Sequence, residues 1–176
     1  PPATTRATSD PMNAPRRNQP EHRLETSYRM SYLFQPMRIV LDTSVLVAGL
    51  RSRLAASNRL LMLVAEGRCI PLVTTAVFLE YEAVLVRPEQ RLATGMSEGD
   101  VAGFLAALAS AAEPVDVHFM WRPQLSDPAD ELILEAAVNG QAEAIVTHNA
   151  RDFHPAFRMF GIPVKSPAQV LKELSK

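Results

Sequence analysis

The sequence holds a single cysteine, Cys69, which excludes an internal disulfide and leaves no cysteine pair for a zinc site. A lone thiol fits a reducing cytoplasm, and Cys69 reads as a small buried apolar residue. No apolar run reaches the roughly 18 residues that a membrane-spanning helix needs, so no membrane association is expected. Nor does the chain open on a charged-then-apolar segment with a small-residue cleavage site, so no signal peptide is read. A glycine-rich phosphate loop is missing too, which argues against ATP or dinucleotide binding. The four histidines do not replace the absent cysteines: His22 lies in a polar stretch, and His118, His148 and His154 lack a zinc-ligand spacing. Excess positive charge is also lacking. With a net charge of −1, any contact with nucleic acid must come from locally placed arginines and bound metal, not from bulk attraction.

What is present suits one domain with an appendage. The 176 residues are 47% hydrophobic and 21% charged, ordinary values for a globular protein with one core. Residues 1–36 differ from the rest. They carry Pro1, Pro2, Pro11, Pro15, Pro20 and Pro36 among many Ser, Thr, Asn and Arg, with almost no apolar periodicity. Such a stretch cannot bury enough surface to offset its ordering entropy, and disorder is expected there. Five arginines against Asp10, Glu21 and Glu25 give it 5 − 3 = +2, leaving −3 for the remainder. It reads as a bland extension in preference to an RNA-binding arm, with Met30 and Met37 as candidate alternative starts.

From Met37 the pattern changes. Ile39-Val40-Leu41 ending at Asp42 predicts a buried parallel strand, followed by a helical turn or two over Val45–Leu50. A helix is expected over Ala55–Glu66, stopped by Gly67, then a strand over Ile70–Thr74. Thr75 is expected to cap the next helix, which runs to the break at Arg87-Pro88. Ser97-Glu98-Gly99-Asp100 resembles a capping box, and Pro114–Phe119 alternates like a strand. Asp127-Pro128 marks a helix start that ends near Gly140. Ala144–Thr147 and Ile162–Val164 read as strands, and Ser166-Pro167 opens a terminal helix. Strands alternating with helices predict a three-layer α/β/α sandwich around a central parallel sheet, over residues 37–176.

In such a sheet the functional crevice lies at the carboxyl ends of the strands. Asp42 directly follows the first strand, and Asp152 follows the strand 144–147 by a few residues. Asp130 falls in the first turn of its helix and Glu80 in the second turn of the helix after 70–74. Asp42 fits a helix cap as well as a catalytic acid. Asp127 is better explained as a cap, and Asp130 also complements the helix dipole. Glu80 lies in a helix apolar nearly all round, where an unpaired buried carboxylate is costly and a metal would resolve the cost. Glu82 has the weaker case. Carboxylates without His or Cys make a hard-oxygen site suited to Mg²⁺ or Mn²⁺.

Four segments, taken together and in order, resemble the PIN-domain family. They are Met37–Val47, Phe78–Pro88, Asp127–Ala137 and Ile145–Phe153, with Gly161–Leu171 completing the likeness over 37–174. Within that family the resemblance is to VapC-like toxin ribonucleases. It implies an RNase whose acids bind Mg²⁺ or Mn²⁺ and cleave single-stranded RNA, working as the toxin of a type II toxin–antitoxin pair. It also implies an antitoxin protein as partner, a homodimer and a cytoplasmic location. Carried across, Asp42, Glu80 and Asp130 are the matched acids, and Ser44 is the small polar residue that helps hold metal-bound water. The fourth motif departs from the family pattern. Asn149 stands where an Asp is common, so either Asn149 coordinates through its carbonyl or Asp152 supplies the fourth carboxylate. Arg51, Arg53 and Arg151 are the cations nearest the motifs in sequence. A haloacid-dehalogenase-like phosphatase would need an acid two residues after Asp42, where Ser44 stands. A PIN fold with a degraded site, acting as a binding module, is the second alternative, and Asn149 is its best argument.

Overall fold

The computed structural model of the protein describes residues 35–175. The extension at 1–36, apart from Gln35 and Pro36, therefore lies outside the described residues. The chain begins with β1 (Met37–Leu41), α1 (Thr43–Arg51), α2 (Ala56–Ala65), β2 (Cys69–Val73) and α3 (Thr75–Leu85). It continues through α4 (Pro88–Thr94), α5 (Glu98–Ala111), β3 (Glu113–Pro114) and α6 (Pro128–Asn139). It closes with β4 (Ala144–Val146), α7 (His154–Phe160), β5 (Val164–Lys165) and α8 (Pro167–Leu174).

All strand pairs are parallel and the sheet order is β3-β2-β1-β4-β5, within a three-layer α/β/α sandwich. β1 is central and covered on both faces, so Ile39, Val40 and Leu41 are fully buried in succession instead of alternating. α6 lies across β1, β2 and β4, while α2 packs on α1 and α8. α1 and α2 approach closely at Gly49, where an added Cβ would stand 2.6 Å from Leu61 Cδ1. Tyr81 and Phe153 are the largest fully buried side chains, each contributing on the order of 2–3 kcal/mol from burial. Cys69 is buried and free, and burial pushes its thiol up to about 11, which keeps it unreactive.

Several expectations shift. Thr74, not Thr75, caps α3, its hydroxyl accepting from the Val77 amide at 3.2 Å. Pro88 does not merely end a helix: it occupies the first turn of α4, a position its missing N–H suits. α7, also with proline in its first turn, fills a stretch left without structure, and Gly161 ends it in the left-handed region at φ 68°. The last strand falls at Val164–Lys165, not 162–164.

The largest correction concerns 114–119. Only Glu113 and Pro114 pair with β2, at Leu72 and Val73. The Val115 amide still donates to the Val73 carbonyl at 3.0 Å, and the backbone further on is taken up by one face of α6, where Glu131, Glu135 and Asn139 recur every four residues. Asn139 Oδ1 accepts from the His118 and Phe119 amides at 2.9 and 3.0 Å. Glu135 holds Arg122 in a bidentate pair at 2.7 and 2.8 Å, and Glu131 Oε1 accepts from the Gln124 and Leu125 amides. Hydrogen bonds to this helix thus replace a sheet ladder for the segment.

Candidate active site

β1 and β4 end side by side: Leu41 pairs with Val146, so Asp42 and Thr147 leave the sheet together at its carboxyl edge. The Asp42 amide still donates to the Val146 carbonyl at 2.9 Å. Asp42 is buried, and two hydroxyls converge on its Oδ2, from Ser44 Oγ at 2.5 Å and Thr147 Oγ1 at 2.6 Å. Its Oδ1 accepts only a long bond from the Ser44 amide, 3.4 Å, as N-cap of α1. Asp42 is therefore both a helix cap and a firmly oriented carboxylate with one oxygen lightly engaged.

Thr147 extends this arrangement. Its buried Oγ1 donates to Asp42 and accepts from the Asn149 amide at 2.9 Å, while the Asn149 side-chain amide donates to Asp152 Oδ2. A continuous hydrogen-bonded path thus joins Asp42, Thr147, Asn149 and Asp152. Sequence reasoning does not single out Thr147. Its signal is a polar side chain ending an otherwise apolar strand beside the one that ends in Asp42.

Asp130 enters from α6. Its half-buried carboxyl accepts no hydrogen bond from another described residue. Burial pushes it up to about 6, helped by the negative charges of Asp42, Asp127, Asp152 and Glu131. Asp127 itself caps α6, accepting from the Ala129 amide at 2.9 Å. Asp42, Asp130 and Asp152 therefore share one electronegative edge.

Glu80 is not among the charges that act on Asp130. It is half-buried on α3, whose Ala76, Leu79, Glu82 and Ala83 face solvent. The expectation that this helix is enclosed all round is thus corrected, and with it the desolvation argument for a metal at Glu80. α3 nonetheless reaches the same strand end, because the buried Tyr81 hydroxyl donates to the Leu41 carbonyl. Burial, and secondarily Asp42, raise that phenol above its ordinary value, so Tyr81 serves as a neutral anchor. Among the described residues no three Asp, Glu, His or Cys side chains stand close enough to form a ready-made metal cage.

Of the arginines nearest the motifs, Arg51 is tied to Gln90 of α4 at 2.7 Å, whereas Arg53 and Arg151 are exposed without a partner among the described residues. His148 is bonded to the buried Ser57 at 2.8 Å, which fastens the end of β4 to α2.

A sequence model of the PIN domain matches residues 38–151, more than half of the chain. The chain belongs to the PIN-domain family. PIN domains are generally nucleases and typically bind Mg²⁺ or Mn²⁺. No curated protein matches the chain in sequence. The PIN match takes in Asp42, Ser44, Glu80, Asp130 and Asn149 and stops one residue before Asp152. Among the described residues no helix is long and apolar enough to cross a membrane.

Proposed function

We propose that this PIN domain is a metal-dependent endoribonuclease that hydrolyses single-stranded RNA. The observation that carries the reading is the Asp42–Thr147–Asn149–Asp152 path with Asp130 coupled to it, all at the carboxyl edge of a parallel sheet. The donor chemistry fits a hard divalent cation. Its candidate ligands are oxygens alone, and Asp130 stands in negative surroundings that a cation would relieve. Mg²⁺ commonly uses one or two carboxylates and keeps several waters, so a preformed cage is not required. Asp42 and Asp130 are the residues that would hold it, with Glu80 and Asp152 as further candidates. When bound, the ion polarises the phosphodiester and lowers the pKa of a coordinated water.

The protein's own groups do the positioning. Ser44 and Thr147 fix the Asp42 carboxylate through its Oδ2, leaving Oδ1 with only the long bond from the Ser44 amide. Asn149 holds Asp152 in place of adding a further charge. That same bond favours the second reading, a PIN fold with a weakened site that binds RNA without cutting it, because it occupies one Asp152 oxygen. Incubating the purified full chain with labelled single-stranded RNA, with Mg²⁺, Mn²⁺ or EDTA, separates the two. Cleavage only with metal is expected; binding without cleavage under both metals would establish the second reading.

The toxin role, an antitoxin partner and a homodimer extend this reading on the strength of the family resemblance alone. An adjacent reading frame encoding a small protein with a DNA-binding head, and growth arrest on expression, would support them.

A further inference from the structure

A cavity of about 300 Å³ opens next to the acidic edge, between α7 and β5. Its character differs from that of the edge. Ala150, Phe157, Pro163 and Val164 make its wall mostly apolar, His154, Arg158 and Lys165 add the polar groups, and no carboxylate lines it. It is also physically joined to the acids. Ala150 sits between Asn149 and Asp152 in the chain, and the Lys165 carbonyl accepts from the Thr147 amide at 3.0 Å. The Thr147 hydroxyl in turn donates to Asp42. Two hydrogen bonds therefore separate the cavity's β5 floor from the buried catalytic carboxylate.

We infer that this cavity is a subsite for one nucleotide of a single-stranded RNA lying across the acidic edge, with the base on Phe157 and a phosphate at Arg158. The inference rests on the nuclease reading and names where the strand is held beside the cleaved bond. Phe157 is 60% exposed while lining the cavity, so its ring face is available for stacking. Arg158 is exposed and has no ion-pair partner among the described residues. Lys165 differs, since its Nζ is held by Glu173 at 2.6 Å. The uncompensated cation of the cavity is thus Arg158, which suits a single phosphate. The volume lies at the lower end of the range for small-ligand pockets, roughly 300–1,000 Å³, which fits one base and not a duplex. An acidic edge repels phosphate, so a mostly apolar recess bonded to it, carrying the Phe157 ring and the Arg158 cation, gives the strand a foothold that the acids cannot provide.

The test is a fluorescence-anisotropy titration of a labelled single-stranded oligoribonucleotide with the full chain, in EDTA and at several KCl concentrations. Phe157→Ala is expected to weaken binding about tenfold, within the range that stacking on one aromatic ring supplies. Phe157→Trp, which keeps the ring face, should restore it. Arg158→Ala should lower the magnitude of the salt slope by about 0.7, the value for one phosphate contact on a single strand. In metal, Phe157→Ala should raise KM and leave kcat unchanged, since the acids remain. If the unaltered chain binds RNA but both alanine variants bind equally well with the same slope, the subsite is refuted and the nuclease reading stands. If the unaltered chain neither binds nor cleaves RNA, the nuclease reading fails and takes the subsite with it.

Discussion

Three carboxylates on α6, Asp130, Glu131 and Glu135, lie within six residues and lead opposite lives. Glu131 and Glu135 are buried, and each is held by hydrogen-bond donors. Glu131 accepts from two backbone amides, and Glu135 pairs bidentately with Arg122. Asp130, one residue before Glu131, is less buried yet accepts no hydrogen bond from another described residue, and its neighbours are negative. Burial alone therefore does not mark a working acid. A buried carboxylate surrounded by donors is a fastening, here for the 115–127 segment. A carboxylate pushed up to about 6 beside Asp42 is poised to take a cation or a proton.

Substitutions can break this contrast. The largest effect is expected at the edge. Asp42→Asn should reduce cleavage by at least about 100-fold, since it removes the charge of a carboxylate proposed to hold the ion. Its carbonyl can still receive the Ser44 and Thr147 hydroxyls, so the melting temperature in metal-free buffer should move little. A strong loss of stability instead would assign Asp42 a mainly structural role. RNA cleavage and thermal unfolding of the same preparation decide it.

Glu131→Ala should show the converse. Two amides lose a charged acceptor, which costs roughly 2 kcal/mol and about 4–8 °C in Tm for a domain of this size. Cleavage per folded molecule should fall far less than in Asp42→Asn. Equal losses of activity in the two variants would erase the distinction between fastening and working acids.

The smallest effect concerns pH. A carboxyl held at about 6 in the fold, against an ordinary 3.8, binds its proton more tightly when folded than unfolded. Its contribution to stability is thus fully present below about pH 4 and is lost as pH rises through about 6. Solvent screening at this half-exposed position keeps the loss below about 1 kcal/mol. Asp130→Asn should flatten that part of the stability–pH profile in EDTA, as read from denaturant midpoints at pH 4 to 7. Identical profiles for variant and parent would mean that neither burial nor the neighbouring carboxylates raise Asp130 in the fold.

Much of this architecture was legible in the residues. The run Ile39–Leu41 before Asp42, the Ser97–Asp100 capping box and the Asp127-Pro128 helix start all occur where local chemistry places them. Each depends on interactions within a few residues, so sequence spacing carries it. The misreadings share the reverse property. Pro114–Phe119 alternates like a strand, but its backbone is claimed by Asn139, about 20 residues away. The helix carrying Glu80 looks apolar all round, yet neighbouring elements cover only part of it, leaving Leu79 and Val86 exposed.

The sequence by itself determined the parallel α/β order, helix starts such as those at Ser97 and Asp127, and the candidate acids Asp42, Glu80, Asp130 and Asp152. Periodicity and capping are short-range, and the PIN-domain match over residues 38–151 spans the segments that carry Asp42, Glu80 and Asp130. Only the tertiary structure decided which polar groups meet. Thr147 joins Asp42 because β1 and β4 are neighbours although 105 residues separate the pair. Asp130 is raised because α6 carries it to that same edge, whereas Glu131, one step round the helix, finds backbone donors. A side chain's charge is written in the chain, but what that charge faces is set by strand order and helix packing.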